Sequence, residues 1–139
     1  MKSIQIDHLL ISQMGIFIIE TKNWSNHSLD NLDLRSPVQQ ILRTNYALFK
    51  LLDITSRKHN WNFVRQHWGN RKIPIKNIIV FINNPPREQF QFIKILGLNE
   101  LISYIKYFNS SFTKNETESI ADHLQNLSQH NKVISKLTM

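Results

Sequence analysis

Hydrophobic and polar positions divide the chain into a strand-like beginning and a mostly helical remainder. Ile4 to Ile11 is rich in aliphatic and β-branched residues, which suit a pleated, half-buried surface. Ser12-Gln13-Met14-Gly15 reads as a turn, with Gly15 able to take positive φ. Ile16-Phe17-Ile18-Ile19 opens a second strand that the pattern carries to about Trp24. Two such strands around a short turn predict an antiparallel hairpin. The unbroken apolar run of the second predicts burial on both faces, as in a sheet covered by helices.

The polar stretch from Asn23 to Ser36 reads as a loop. Ser36-Pro37 then offers a helix start, with Ser as N-cap and Pro at the first helical position. Val38, Ile41, Leu42, Asn45, Leu48, Phe49 and Leu52 recur at helical spacing and predict a helix to about Thr55. Its other face carries Gln39, Arg43, Tyr46 and Lys50. Arg57 to Lys72 is basic and aromatic without a period, and holds Trp61, Phe63 and Trp68. Asn77 to Ile82 predicts a third strand, stopped by Asn83-Asn84-Pro85-Pro86. Leu98, Leu101, Ile102, Ile105 and Phe108 mark a second amphipathic helix. Thr113 with Glu116 fits a capping box for a third, containing Ile120, Leu124 and Leu127. Residues 1–127 read as one domain and 128–139 as a polar C-terminal tail that frays.

Composition narrows the classes. A length of 139 residues suits one domain, and 41% hydrophobic residues exclude general disorder. No apolar run reaches the ~20 residues of a membrane-spanning helix. Asp7 interrupts the only apolar candidate for a signal peptide. The absence of cysteine excludes disulfides, thiolate zinc sites and thiol nucleophiles, and fits a reducing, cytoplasmic location. With three glycines there is no phosphate-cradling Gly-rich loop, and the six histidines lack metal-ligand spacing.

Charge changes the picture more. Seventeen Lys and Arg against ten Asp and Glu leave +7, which favours a polyanionic partner. Between Asp53 and Glu88 there is no acid, yet the stretch holds Arg57, Lys58, Arg65, Arg71, Lys72, Lys76 and Arg87. This segment is the candidate nucleic-acid surface, with Arg57, Lys58, Arg65, Arg71 and Lys72 meeting phosphates and Trp61 or Trp68 stacking on a base. The competing reading is a solvated loop whose aromatics pack on the core.

The candidate chemistry lies in the hairpin. Side chains alternate along a strand, so Ile16, Ile18, Glu20 and Lys22 share one face. That face begins as core and ends with a carboxylate and an ammonium. In an antiparallel hairpin, Asp7 near the start of one strand lies beside Glu20 near the end of the other. Alternation sends His8 to the opposite face. Two hard carboxylates suit Mg²⁺, and a nearby lysine suits a phosphodiester reaction. The same residues also fit a plain ion pair at a strand end.

Ile6-Asp7-His8-Leu9-Leu10-Ile11-Ser12 and Gly15-Ile16-Phe17-Ile18-Ile19-Glu20-Thr21-Lys22-Asn23-Trp24 closely resemble the nuclease-related domain family (NERD), similar to a branch of the PD-(D/E)XK nucleases. The resemblance continues through Ser36-Pro37-Val38-Gln39-Gln40, the Ile78–Ile82 strand and the two C-terminal helices. It implies an α/β fold with a restriction-endonuclease-like mixed central sheet flanked by helices. It also implies that a helix and strand usual before the segment matching Ile4 are missing, giving an N-terminally truncated core with an open sheet edge. By resemblance, Asp7 and Glu20 are metal ligands and the Thr21 carbonyl a third. Lys22 is the catalytic lysine, and Gln40 lines the site. The implied function is Mg²⁺-dependent phosphodiester hydrolysis in DNA processing, with Mn²⁺ as a substitute metal. The alternative is a catalytically inactive nucleic-acid-binding module, or a remnant of the same fold. Partners are then nucleic acid, DNA ahead of RNA, and a second copy or partner chain completing the sheet. No membrane association is expected.

Overall fold

The computed structural model describes residues 6–23, 35–58, 61, 75–83, 85–86, 89–131 and 134–138. Strands β1 (Ile6–Ser12) and β2 (Gly15–Lys22) form the expected antiparallel hairpin. Gly15 takes φ 138°, a conformation that only glycine adopts cheaply. The Ser12 hydroxyl accepts the Met14 backbone N–H at 3.1 Å and so fixes the turn from within. Helix α1 (Arg35–Lys58) follows, then β3 (Ile75–Phe81) and β4 (Ile93–Gly97). A single 3₁₀ turn, Leu98–Glu100, leads into α2 (Leu101–Lys106), and α3 (Lys114–Asn131) precedes β5 (Ile134–Thr138).

The strands form one five-stranded sheet in the order β4-β3-β2-β1-β5. It is mixed: β1 and β2 are antiparallel, while β3 runs parallel to β2, β4 to β3 and β5 to β1. This α/β architecture, with three helices flanking a mixed sheet, is consistent with a restriction-endonuclease-like core.

Alternation along the strands divides the core into two layers. Leu9, Ile11, Ile16, Ile18 and Ile79 pack with Val38, Ile41, Leu48 and Leu52 of α1 and Ile120 and Leu124 of α3. Leu10, Phe17, Ile19, Ile78 and Val80 pack on the other side with Ile105 of α2. This explains the continuous hydrophobicity of β2, which is buried from Gly15 through Ile19. Both hairpin strands supply both layers.

The capping box is present. Thr113 N–H donates to Glu116 Oε1 at 2.7 Å, and Glu116 N–H donates to Thr113 Oγ1 at 3.2 Å. Thr113→Ala removes one half of it and is expected to cost about 1 kcal/mol in urea-induced unfolding. An unchanged midpoint would show that the cap contributes nothing.

Three expectations need correction. The helix expected around Leu98–Phe108 is shorter, because Leu98–Glu100 form a 3₁₀ turn and α2 ends at Lys106. Residues 128–139, expected as a polar tail, contain the end of α3 and then β5. The β1 edge, expected to be open, therefore carries β5 as a parallel neighbour. Helix α3 supplies the physical reason: Ile120 and Leu124 dock it on the sheet, and the chain leaving it runs alongside β1.

Candidate functional site

The register of the hairpin places the site. The paired register ends at His8 opposite Ile19, with Leu9 opposite Ile18, and leaves Asp7 and Glu20 as the next residues on their strands. The β1–β5 pairing also shifts register between Ile6 and Leu9, so Asp7 stands within an irregularity of β1. Such bulges re-aim a side chain and interrupt pairing. Asp7 is exposed and Glu20 half-buried.

Helix α1 closes the site from above. Asp7, Glu20 and Gln40 line one cavity of about 130 Å³, together with Ile6, Ile18, Ile19, Ile41 and Thr44. That volume has room for several waters. Thr44 is buried and its hydroxyl donates to the Gln40 carbonyl at 3.0 Å, one turn along α1. Lys22 Nζ lies 3.0 Å from Glu20 Oε1, so it joins the cluster through that carboxylate and does not line the cavity. Thr21 stands between Glu20 and Lys22 on β2, half-buried, and likewise does not line the cavity. His8 pairs with Ile19, whose side chain belongs to the other layer.

Two carboxylates at one cavity repel, and a cation between or beside them relieves the cost. Lys22 supplies one positive charge to Glu20. The remaining donors, two hard oxygen groups facing a small polar-mouthed cavity, fit a divalent cation that keeps several waters. Among the described residues there is no cluster of three or more His, Asp or Glu side chains. A metal here would therefore rest on two carboxylates and backbone or water oxygens.

The model of one protein family matches this chain: the nuclease-related domain, over residues 1–82. The match spans more than half of the 139 residues and contains every member of the cluster. The chain belongs to the nuclease-related domain family. No curated protein and no solved structure matches it.

In this family member the basic segment divides. Arg57 and Lys58 end α1 and are exposed, and Arg57 Nη2 lies 3.3 Å from Asp53 Oδ2, one turn back. Arg65, Arg71 and Lys72 lie outside the described residues, as do Trp68 and Arg87. Trp61 is half-buried, packs against the α1–α3 side of the core, and meets the His123 ring edge-on at 5.5 Å. It behaves as a core aromatic and not as a free stacking platform. No helix among the described residues is long and apolar enough to cross a membrane.

Sequence reasoning did not single out Thr44. Its spacing of four from Gln40, on the buried side of α1, was the available signal. It also missed a larger cavity, of about 780 Å³, where α1 meets the beginnings of β3 and β4.

Proposed function

We propose that the chain is a divalent-metal-dependent nuclease domain that hydrolyses phosphodiester bonds in DNA. The observation that carries this reading is the meeting of Asp7, Glu20 and Gln40 at one cavity, with Lys22 held on Glu20, in a member of the nuclease-related domain family.

Asp7 and Glu20 would hold Mg²⁺, with Mn²⁺ as a substitute and the Thr21 carbonyl as a further donor. Bound there, the ion would supply Lewis-acid polarisation of the phosphoryl oxygen and a water of lowered pKa. Lys22 stands next along the same strand face, where its ammonium donates to the attacking water or to a phosphoryl oxygen gaining charge. Glu20 fixes the position of that ammonium. Gln40, on the opposite wall, offers an amide N–H and a carbonyl to orient the water or the phosphate. Thr44 anchors the backbone turn that carries Gln40. Arg57 and Lys58, with Arg65, Arg71 and Lys72, are proposed as contacts to the phosphate backbone beyond the scissile bond.

Plasmid nicking tests the reading. Wild type is expected to nick supercoiled DNA in Mg²⁺ or Mn²⁺ and to be inert in EDTA. Asp7→Asn and Glu20→Gln are each expected to lower the rate at least ~100-fold, the size of effect typical for a group acting on transition-state charge. Salt-sensitive DNA binding without nicking in either metal would instead support the non-catalytic module.

A further inference from the structure

The larger cavity is a groove whose chemistry is quite unlike that of the carboxylate cluster. Its floor is polar and tied together. Asn45 of α1 donates from Nδ2 to Asn77 Oδ1 at 2.8 Å and to the Ile75 carbonyl at 3.0 Å. Asn77, buried in β3, donates in turn to the Phe92 carbonyl at 3.2 Å. Three elements are thus fastened by two asparagine side chains.

The ladder ends at an unusual residue. Phe92 has φ 69°, a conformation costly for a bulky side chain, and its ring is 74% exposed. Such strain persists only where the surroundings hold it, and it recurs at ligand-binding sites. Here it turns a large apolar ring out toward water. Tyr46, 63% exposed, stands on α1 across the same groove, and Tyr104 and Phe108 complete its aromatic lining. Burial raises the Tyr104 phenol above its ordinary pKa, so it stays a neutral hydrogen-bond donor.

Cations accompany the rings. Lys76 Nζ lies 4.2 Å from the centre of Phe108, Lys94 Nζ 5.7 Å from that of Tyr104, and Lys50 Nζ 5.5 Å from that of Tyr46. Among the described residues none of the three meets a carboxylate, and no acidic side chain lines the groove. Two exposed rings, Phe92 and Tyr46, thus share one groove with Lys76 and Lys94, which lie over its half-buried rings, and this mixture complements a ligand that alternates flat aromatic units with negative charges.

We infer that this groove binds unpaired nucleotides of a single-stranded nucleic-acid segment, bases stacking on Phe92 and Tyr46 and phosphates meeting Lys76 and Lys94. Stacking requires bases freed from a duplex, so the groove prefers single strands. Its lining on α1 begins at Leu42, two residues beyond Gln40, about 3 Å at the helical rise, so it lies near the carboxylate cavity without sharing its carboxylates.

The test is fluorescence anisotropy of a labelled twelve-residue oligothymidylate in EDTA, where hydrolysis and its metal play no part. Wild type is expected to bind it at least tenfold more tightly than a duplex of the same length, with affinity falling as salt rises. Phe92→Gly removes the ring while accommodating the positive φ, and Lys94→Ala removes an exposed cation. Each is expected to weaken binding about tenfold, with thermal unfolding unchanged in Lys94→Ala and unchanged or raised in Phe92→Gly, and Glu20→Gln is expected to leave binding intact. Equal binding of duplex, or undiminished binding by Phe92→Gly, would overturn the proposal. If nicking fails while this binding persists, only the catalytic reading falls.

Discussion

Lys22→Ala is expected to lower phosphodiester cleavage at least ~100-fold while leaving the fold intact. The ammonium is the cluster's own positive charge, 3.0 Å from Glu20 Oε1, and both side chains remain partly exposed. An ion pair of that exposure contributes up to about 1 kcal/mol, so its loss does not unfold the domain. The catalytic loss is larger because the charge would act where the phosphate becomes more negative. Rates from a nicking time course, set beside urea melts of the same variant, separate the two effects. A variant cleaving within about threefold of wild type would remove Lys22 from the chemistry.

Phe17→Ala is expected to produce the largest loss of stability, about 3–5 kcal/mol. Phe17 is wholly buried in β2, in the layer with Ile19, Val80, Leu96 and Ile105, and its ring centre lies 6.0 Å from that of Phe108. Truncation removes its transfer energy and leaves a cavity that strand neighbours cannot collapse to fill. For a domain stable by about 5–15 kcal/mol that is a large share. Urea denaturation should show the midpoint falling by more than 1 M. A loss under about 1 kcal/mol would mean that this second layer is not a packed core.

These two residues also show what the sequence made legible. Phe17 and Lys22 lie on one strand, and simple alternation places them on opposite faces, one core and one site. Alternation with a tight turn at Gly15 predicts Asp7 near Glu20, and both do line one cavity, although the regular register stops at His8. Helix α1 and the cap of α3 were equally legible, being set by local spacing. The strands β4 and β5 were not. Each is five residues long, and β5 finds its partner in β1, more than a hundred residues earlier. Local pattern carries no record of such a pairing. Gln40 came from family resemblance alone, since its approach to Glu20 depends on how α1 lies on the sheet. The aromatic groove was invisible for the same reason. Tyr46, Lys76 and Phe92 come from three separate parts of the chain, and nothing in the sequence announces a positive φ at a phenylalanine.

The central claim is that Asp7 and Glu20 together hold one divalent cation. Titration of the metal-free protein with Mn²⁺, followed by electron paramagnetic resonance of the free ion, tests it without recourse to activity. Wild type should take up one saturable Mn²⁺ per chain, Glu20→Gln should lose it, and Lys22→Ala should keep it. Saturable binding that persists in Glu20→Gln, or none in wild type, would contradict the account.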